Sequence, residues 1–390
     1  MRLRAACILV AVVVGSSASA SWAASVPGPT VSFVPGSIDR TGHLDVTVAL
    51  NAYLAGVPDG NTVVFPSRAR YRIEGTLSLE NRTNLVIEGQ GATFFAATNG
   101  LARSVPGCDR RSSVCRYPNR TRSQWSFSHD KNIVVRDVNV VGSDMHPGPL
   151  GIYDPALEAQ HAFNIVGASR IVLDHVSARN VWGDFVYVGA AYVRPRYVTS
   201  TDVLVKNSTF RGSSRQGWSI TNGERIVFVN NSVDAARRSL IDIEANASSD
   251  RIAYITIRNN RLGSSRFCTL TNYGAPAVEH DFVIADNHMI DSRAIKICVQ
   301  ASRGARRSNF AITGNVGDVA GQGRNEPMVN IAYVDHVTVK GNVQHFSDSS
   351  WPWRGSPQAP VTSKCSSVVV TANSFTPRPR GMPEFAGKRC

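Results

Sequence analysis

The sequence predicts an all-β fold, a single-stranded right-handed parallel β-helix of about ten coils with a short N-terminal capping helix. Short runs in which Val and Ile alternate with polar residues recur between residues 133 and 373, and such alternation is typical of β-strands. An asparagine recurs at one phase of the last six runs, every 27 to 31 residues, and this length accommodates one coil of three short strands and three turns. These asparagines are Asn231, Asn260, Asn287, Asn315, Asn342 and Asn373.

The recurring asparagines are predicted to be structural. Asparagine tolerates the backbone conformations of turns, and its side-chain amide can both donate and accept hydrogen bonds. Stacked one coil apart, these side chains would bond the coil above and the coil below. We therefore expect an asparagine ladder that satisfies buried polar groups at every turn.

Composition limits the functions that the chain can have. It is 43% hydrophobic and 18% charged, which is enough apolar material for a large core and too little charge for a disordered chain. The formal net charge of +13 suits an acidic polymer as partner, with a merely arginine-rich surface as the alternative. No zinc-finger spacing, aromatic RNA-binding pattern or basic helix is present, so no nucleic-acid partner is expected.

The N-terminus has the features of a secretion signal. Arg2 and Arg4 form a basic start, followed by an apolar run at 5–15 and a zone of mostly small residues at 17–24. No segment after residue 24 is long and apolar enough to span a bilayer, so we expect a secreted protein, extracellular or periplasmic. The predicted units are a signal peptide at 1–23, a β-helix domain at 31–375 and a Pro/Arg-rich tail at 376–390.

Cysteine usage agrees with export. Removal of the signal would also remove Cys7 and leave six cysteines, an even number that favours disulfides in an exported chain. Cys108–Cys115 would close a short loop and Cys365–Cys390 would hold the tail, with free buried thiols as the alternative for each pair. Cys268 and Cys298 complete the set.

The N-terminal region carries a family resemblance. From residue 38 the chain reads IDRTGHLDVTVALNAYLAGVPDGNTVVFP, followed by YRIEGTLSL and NLVIEGQGATF. This resembles the opening of the pectate-lyase-like superfamily of right-handed parallel β-helix proteins, which includes family 28 glycoside hydrolases and phage tailspikes. The resemblance implies a short helix at 46–55, with Asp45 as its N-cap, over the open end of the first coil. Because this fold hosts hydrolases, lyases, epimerases and binders, it leaves the reaction open.

A second series of strands in the same phase predicts a polar sheet face. Segments such as AFNIV at 162 and LIDIE at 240 turn their apolar residues inward and the residues between them toward solvent. Polar side chains along a whole sheet face would line a groove. The predicted outward column consists of Asn164, Tyr187, Ser219, Asp242, Thr269, Lys296 and Asn330.

Asp242 and Glu244 are the first catalytic candidates, because both point outward from one predicted strand. Glycosidic cleavage requires paired carboxylates, one as the acid for the leaving oxygen and one as the base for water. A salt bridge to Arg215 or Arg238 is the structural alternative for these acids.

His161 and Asp184 are the second catalytic candidates, since they are expected one coil apart on the same face. A carboxylate–imidazole contact would orient the ring for acid–base catalysis. The alternative is an aspartate that caps a turn and a histidine that packs on Trp182. Asp184 would lie two coils from Asp242, which is compatible with the carboxyl separation of an inverting mechanism.

Substrate-binding side chains are expected beside these acids. They are Lys296, Gln216, Arg215, Tyr187 and Arg293. Compared with family 28 hydrolases, the paired Asp-Asp and the Gly-His-Gly motifs are missing, and residues 294–296 retain only Ile-Lys. Polygalacturonase activity itself is therefore not expected.

The sequence thus predicts a secreted enzyme that cleaves glycosidic bonds of a polysaccharide by carboxylate acid/base hydrolysis, without a cofactor. One alternative is a polysaccharide lyase acting on a uronate-containing glycan, with an Arg or Lys base near Asp242 and Ca²⁺ as neutraliser. The other is a non-catalytic glycan-binding β-helix.

Two loops interrupt the repeat and are expected to wall one end of the groove. The loop at 99–124 is rich in arginines that would either be solvated or grip carboxylate or sulfate groups, and the loop at 142–161 is rich in acids and histidines. A metal site at Asp144, His146 and Asp154 lacks any fixed ligand spacing, so no metal is expected. The arginines are Arg103, Arg110, Arg111, Arg116, Arg120 and Arg122.

Overall fold

The computed structural model describes residues 30–100, 121–291, 296–301, 306–319, 327–346, 359–376 and 383–388. Within these ranges the protein is nearly all β, with one α-helix at Thr47–Gly56 and parallel strands stacked coil upon coil. The predicted right-handed parallel β-helix is therefore confirmed. No helix in these ranges is long and apolar enough to cross a membrane.

One sheet of 11 parallel strands carries the predicted polar face and is called the groove sheet. It contributes one strand from each successive coil, and neighbouring strands lie about 4.8 Å apart. Its strands are Leu77–Glu80, Trp125–Ser128, Phe163–Val166, Val186–Gly189, Trp218–Ile220, Ile241–Ala245, Leu270–Gly274, Ile297–Gln300, Val329–Ala332, Val361–Lys364 and Phe385–Lys388.

The other two faces of the coils are continuous with each other and form a sheet of 21 strands, called the long sheet. They merge because the strands at 86–95 and 131–141 run through the turn between the two faces. The strands of the long sheet are Val31–Phe33, Thr62–Val64, Arg70–Arg72, Val86–Phe95, Lys131–Val141, Ser169–Asp174, Ser177–Val181, Ser200–Lys206, Thr209–Ser213, Gly223–Val229, Ser232–Ala236, Arg251–Arg258, Arg261–Leu262, Val278–Ala285, His288–Asp291, Arg306–Thr313, Val316–Val319, Asp335–Lys340, Val343–Phe346, Val368–Thr371 and Ser374–Thr376.

The core fills the inside of the coils. Alternation turns every second side chain of the groove sheet inward, and these residues stack directly above one another along the axis. All ten members of the first inward column that follow are buried, so the groove sheet is anchored along its length. They are Leu77, Trp125, Phe163, Val186, Trp218, Ile241, Leu270, Ile297, Val329 and Val361.

The capping helix covers the first coil as expected, but its start differs by one residue. Leu50 and Leu54 are buried in the core cluster, so the helix closes the apolar end. The helix begins at Thr47, and its N-cap position is Val46 rather than Asp45. Asp45 nonetheless accepts the Thr47 backbone N–H at 3.0 Å and the Thr47 hydroxyl at 2.6 Å, so its carboxylate still serves the helix start.

The asparagine ladder has the predicted hydrogen bonds. The Asn260 amide donates to Asn287 Oδ1 at 3.0 Å and to the Phe228 carbonyl at 3.0 Å. The Asn260 backbone N–H donates to the same Asn287 oxygen, and this pattern repeats up to Asn373. There Glu384 accepts both the backbone and the side-chain N–H of Asn373, so a carboxylate ends the ladder.

The predicted register is wrong by two residues in two strands of the groove sheet. Leu270 pairs with Ile241, so Thr271, and not Thr269, lies beside Asp242. In the next strand Cys298, and not Lys296, takes that position. Apolar alternation alone predicts Cys268 and Leu270 at the two inward positions beside Ile241 and Ile243, whereas the structure places Leu270 and Asn272 there.

The physical reason for this shift is a buried polar cluster. Asn272 takes the second inward position, fully buried, and its amide donates to Glu279 at 2.6 Å. Arg307 forms a buried ion pair with Glu279 at 2.9 Å. Because the Asn272 amide donates to the Glu279 carboxylate and Arg307 balances its charge, an asparagine is accepted where alternation predicts an apolar residue.

The C-terminal segment and the cysteines add two findings. Phe385–Lys388 pairs in parallel with Val361–Lys364, so the groove sheet extends into the segment that the sequence sets apart as a tail. A disulfide joins Cys268 to Cys298 across neighbouring coils. Cys365 is disulfide-bonded, whereas Cys390 and the predicted pair at 108 and 115 lie outside the described residues.

Removing one side chain from the middle of the ladder should strongly destabilise the fold. Asn287→Ala leaves both N–H donors of Asn260 and the Ile257 carbonyl without their partner, at about 1–3 kcal/mol for each buried group. We expect a loss of about 3 kcal/mol or more in the free energy of unfolding, measured in denaturant. The control is Asn330→Ala, whose half-buried amide accepts one bond from Thr362. Equal losses for the two variants would contradict the role of the ladder.

Candidate active site

The outward face of the groove sheet holds a cavity of about 450 Å³ around Asp242 and Glu244. The two acids alternate with the buried Ile241 and Ile243 in one strand, which turns both carboxylates outward. The cavity therefore contains the pair of acids that the sequence singled out. Its lining consists of Gln216, Arg238, Ser239, Asp242, Glu244, Phe267, Cys268, Thr271 and Tyr273.

Asp242 is nearly enclosed by its neighbours, with 4% of its surface exposed. Gln216 donates its amide to Oδ2 at 2.8 Å, and Thr271 donates its hydroxyl to Oδ1 at 2.7 Å. Burial raises the pKa of Asp242 to about 7, and the neighbouring Glu244 contributes to the rise. Asp242 is thus a carboxyl group that holds a proton close to neutral pH.

The predicted salt bridge from Arg215 goes to a different carboxylate. Arg215 donates to Asp184 at 2.5 Å and lies 3.5 Å from Glu158, and the Asp184 charge raises the pKa of Arg215. Asp184 is fully buried, and its other oxygen accepts the backbone N–H of Gln216 at 3.0 Å. Asp184 therefore fixes the residue that contacts Asp242, and it does not line the cavity.

His161 contacts Asp184 as expected, but in a buried and neutral form. Its Nδ1 accepts the Asp184 backbone N–H at 3.0 Å, and this ring nitrogen lies 3.5 Å from the Asp184 carboxylate. Burial lowers the pKa of His161 to about 4, because little solvent reaches a charged ring. His161 stacks on Tyr187 at 4.7 Å rather than on Trp182, so it supports the sheet face from below the groove.

The Tyr187 side chain lies over Gly189, at the end of its own strand, and points toward the next coil. Its hydroxyl is 2.9 Å from Thr221 Oγ1, one coil further on. A Cβ at Gly189 would lie 2.8 Å from the Tyr187 ring and 2.9 Å from Thr221 Oγ1, so only glycine leaves room for this position. Tyr187 thereby continues the groove from the cavity toward the earlier coils.

The loop at 142–161 forms a wall where the strands begin, as predicted. Arg237 donates to the Gly151 carbonyl at 2.7 Å, which holds the loop against a later coil. The Arg238 guanidinium lies over Tyr153 at 5.6 Å and over Phe267 at 5.8 Å. These cation–π contacts join the loop to the cavity lining.

Several predicted residues do not reach the cavity. Lys296 is fully buried and donates to the Asp318 carbonyl at 2.9 Å, because the register shift takes it off the outward column. Arg122 is buried too, in an ion pair with Glu74 at 2.9 Å. Arg293 and the other arginines of the 99–124 loop lie outside the described residues. In the described part of the chain, no group of three or more His, Cys, Asp and Glu residues is placed to hold a metal ion.

Sequence reasoning missed three residues of the lining. Phe267, Cys268 and Tyr273 approach Asp242 because the strand after it is shifted by two residues relative to the prediction. The signal that could have found them is the asparagine at 272, which pairs with the buried Ile243 only in this register.

Comparisons with known proteins identify the fold. No family model and no curated protein matches the chain. Among solved structures, PfbA, a surface adhesin of Streptococcus pneumoniae, is similar with a TM-score of 0.60 and 15% identity, over 86% of this chain and 89% of that one. An endo-xylogalacturonan hydrolase from Aspergillus tubingensis has a TM-score of 0.55 and 11% identity, over 92% and 100%. A family 28 exopolygalacturonase from Yersinia enterocolitica has a TM-score of 0.56 and 11% identity, over 93% of this chain and 78% of that one. At these identities the likeness shows the fold alone, and the predicted resemblance is confirmed at that level.

The raised pKa of Asp242 predicts a pH dependence of stability. A carboxyl whose pKa is about 7 when folded and near 3.8 when unfolded stabilises the fold at low pH, and this contribution is lost as pH rises through that window. Between pH 5 and 8, wild type should therefore lose about 2 kcal/mol or more relative to Asp242→Asn, by the usual 1.4 kcal/mol per unit. Urea unfolding of both proteins across this range measures the difference. Parallel pH profiles would show that Asp242 ionises normally.

Proposed function

We propose that the protein cleaves glycosidic bonds of a polysaccharide bound along the groove sheet. The observation that carries this proposal is a carboxyl group with a pKa near 7, Asp242, that lines an open cavity beside a second outward carboxylate, Glu244. A general acid works best when its pKa is near the operating pH. Glu244 supplies the second carboxylate that both the inverting and the retaining mechanism require.

In this mechanism Asp242 protonates the leaving oxygen. Gln216 holds the Asp242 carboxyl group by one hydrogen bond, and its own Oε1 accepts the Ser239 backbone N–H at 2.7 Å, so its orientation is fixed. Asp184, clamped by Arg215, holds the backbone of Gln216 in turn. We therefore assign Asp184 and His161 a positioning role.

The comparisons support a carbohydrate-active β-helix without selecting the reaction, since they include hydrolases and an adhesin. The acid pair favours cleavage over binding alone. We also infer export, which the disulfide between Cys268 and Cys298 and the signal-like N-terminus support. An acidic polysaccharide suits the net charge of +13.

Substitution of the proposed acid should abolish most of the activity without unfolding the protein. Asp242→Asn keeps the size of the side chain but cannot transfer a proton, so kcat should fall about 10²–10⁴-fold. Glu244→Gln should cost at least about 100-fold by the same reasoning. The assay is release of reducing ends from a panel of polysaccharides, with Asp202→Asn, on the long sheet, as matched control. Full activity per folded molecule in Asp242→Asn would refute the assignment.

The same panel separates the alternative reactions when absorbance of unsaturated uronate is followed in parallel. A hydrolase releases reducing ends without this absorbance, a lyase produces both, and a binder produces neither. Either of the last two results would overturn the proposed hydrolysis.

The pH profile of the activity provides a separate test. Asp242 must be protonated to act as the acid, so kcat should fall as pH rises above about 7. The residual activity of Asp242→Asn should lack this decline. A decline of the same shape in both proteins would mean that another group is the acid.

A further inference from the structure

A β-hairpin projects from the groove sheet where all other described turns at that edge are short. The chain leaves the strand Val186–Gly189 and forms the antiparallel strands Ala191–Val193 and Arg196–Val198 before it joins the long sheet at Ser200. The equivalent connection one coil later runs only from Ile220 to Gly223. The hairpin is thus an insertion at the edge of the groove.

The foot of the hairpin is fixed by contacts with the β-helix, whereas the two strands beyond it are exposed. Ser200 donates its hydroxyl to the Gly189 carbonyl at 2.6 Å, and Ala191 is buried against Gly167 of the preceding coil. All residues from 192 to 198 are exposed. Two-stranded hairpins gain little stability by themselves in water, so a structural role does not account for it.

The exposed residues of the hairpin have the chemistry of a sugar-binding surface. Tyr192 and Tyr197 lie opposite each other across the two strands, 58% and 65% exposed, with ring centroids 5.0 Å apart. Two aromatic rings held side by side offer a large apolar surface at small entropic cost. Arg194 lies in the turn at the tip of the hairpin and Arg196 pairs with Val193 next to it, and neither forms an ion pair with any described residue.

The hairpin is continuous with the cavity of the proposed active site. Its foot follows Gly189, over which Tyr187 reaches Thr221, and Thr221 lies one strand before Glu244. Two strand spacings, about 10 Å, therefore separate the foot of the hairpin from the level of Glu244. A glycan chain that runs along the β-helix axis from the cavity therefore reaches the level of the hairpin within two strands.

We propose that this hairpin is a second binding site for the polysaccharide, in which Tyr192 and Tyr197 stack on a sugar ring and Arg194 and Arg196 at the tip bind acidic groups of the same glycan. The ligand at this site is the part of the polysaccharide that extends beyond the cavity, so the proposal rests on the proposed function. Arginine binds carboxylate and sulfate groups in the same bidentate manner, so the acidic group of the glycan can be either of the two.

The test measures binding, and not cleavage, in the Asp242→Asn background. The probes are two matched pairs: polygalacturonate with its methyl ester, and dextran sulfate with dextran.

Tyr192→Ala/Tyr197→Ala should weaken binding of the acidic probes at least tenfold, and Tyr192→Phe/Tyr197→Phe should restore it. Arg194→Gln/Arg196→Gln should weaken the acidic probes alone and reduce the salt dependence of binding. The acidic probe that responds to the arginine variant identifies the acidic group.

The control is Tyr254→Ala, which removes a 48% exposed tyrosine from the long sheet. All variants should keep the melting temperature of the parent, because the substituted side chains are exposed and none belongs to the buried core. Unchanged binding in the tyrosine variant, or no binding of acidic glycan by the parent, would overturn the proposal. Reducing-end release by wild type is measured separately. Cleavage with tyrosine-independent binding refutes the hairpin site alone, whereas tyrosine-dependent binding without cleavage refutes the hydrolase alone.

Discussion

The stacking of one coil on the next in a single register is the constraint on which the rest of this structure depends. Parallel backbone hydrogen bonds join each coil only to its two neighbours, and the asparagine ladder repeats that requirement inside the core. Residues separated by 23 to 32 positions in sequence therefore become adjacent across the sheet. Asp242 acquires Gln216 and Thr271 as partners because they lie on the coils before and after it.

The register also explains what could be predicted from the sequence. A shift of one residue would exchange the inward and outward faces, so alternation correctly places Asp242 and Glu244 outward. A shift of two residues preserves both faces, and nothing in the alternation detects it. The buried contacts among Asn272, Glu279 and Arg307 favour the observed register, and these depend on three segments that meet in the folded chain. For this reason the sequence predicts Lys296 at the position that Cys298 takes in the structure.

The two aspartates of the groove sheet show how local placement decides the partners of a carboxyl group. Asp184 precedes its strand, so its carboxylate accepts a backbone N–H from the next coil and meets Arg215. Asp242 lies within its strand, where side-chain amide and hydroxyl groups satisfy its oxygens. Arg215 is engaged by Asp184, and Asp242 is left buried without a directly bonded cation. A composition-based argument sees two equivalent acids, whereas the fold holds one in an ion pair with Arg215 and buries the other so that its pKa is raised.

Under the proposed function, the edges of the groove sheet determine which ligands the cavity admits. Rungs repeat along the axis with nearly constant spacing, so the scaffold itself offers the same floor over many coils. Specificity must come from the insertions at the two edges. The 142–161 loop encloses the strand starts through Tyr153 and Arg238, while the hairpin with Tyr192 and Tyr197 stands at the strand ends two coils away. A ligand that contacts both has to extend along the axis, which is the shape of a polysaccharide chain.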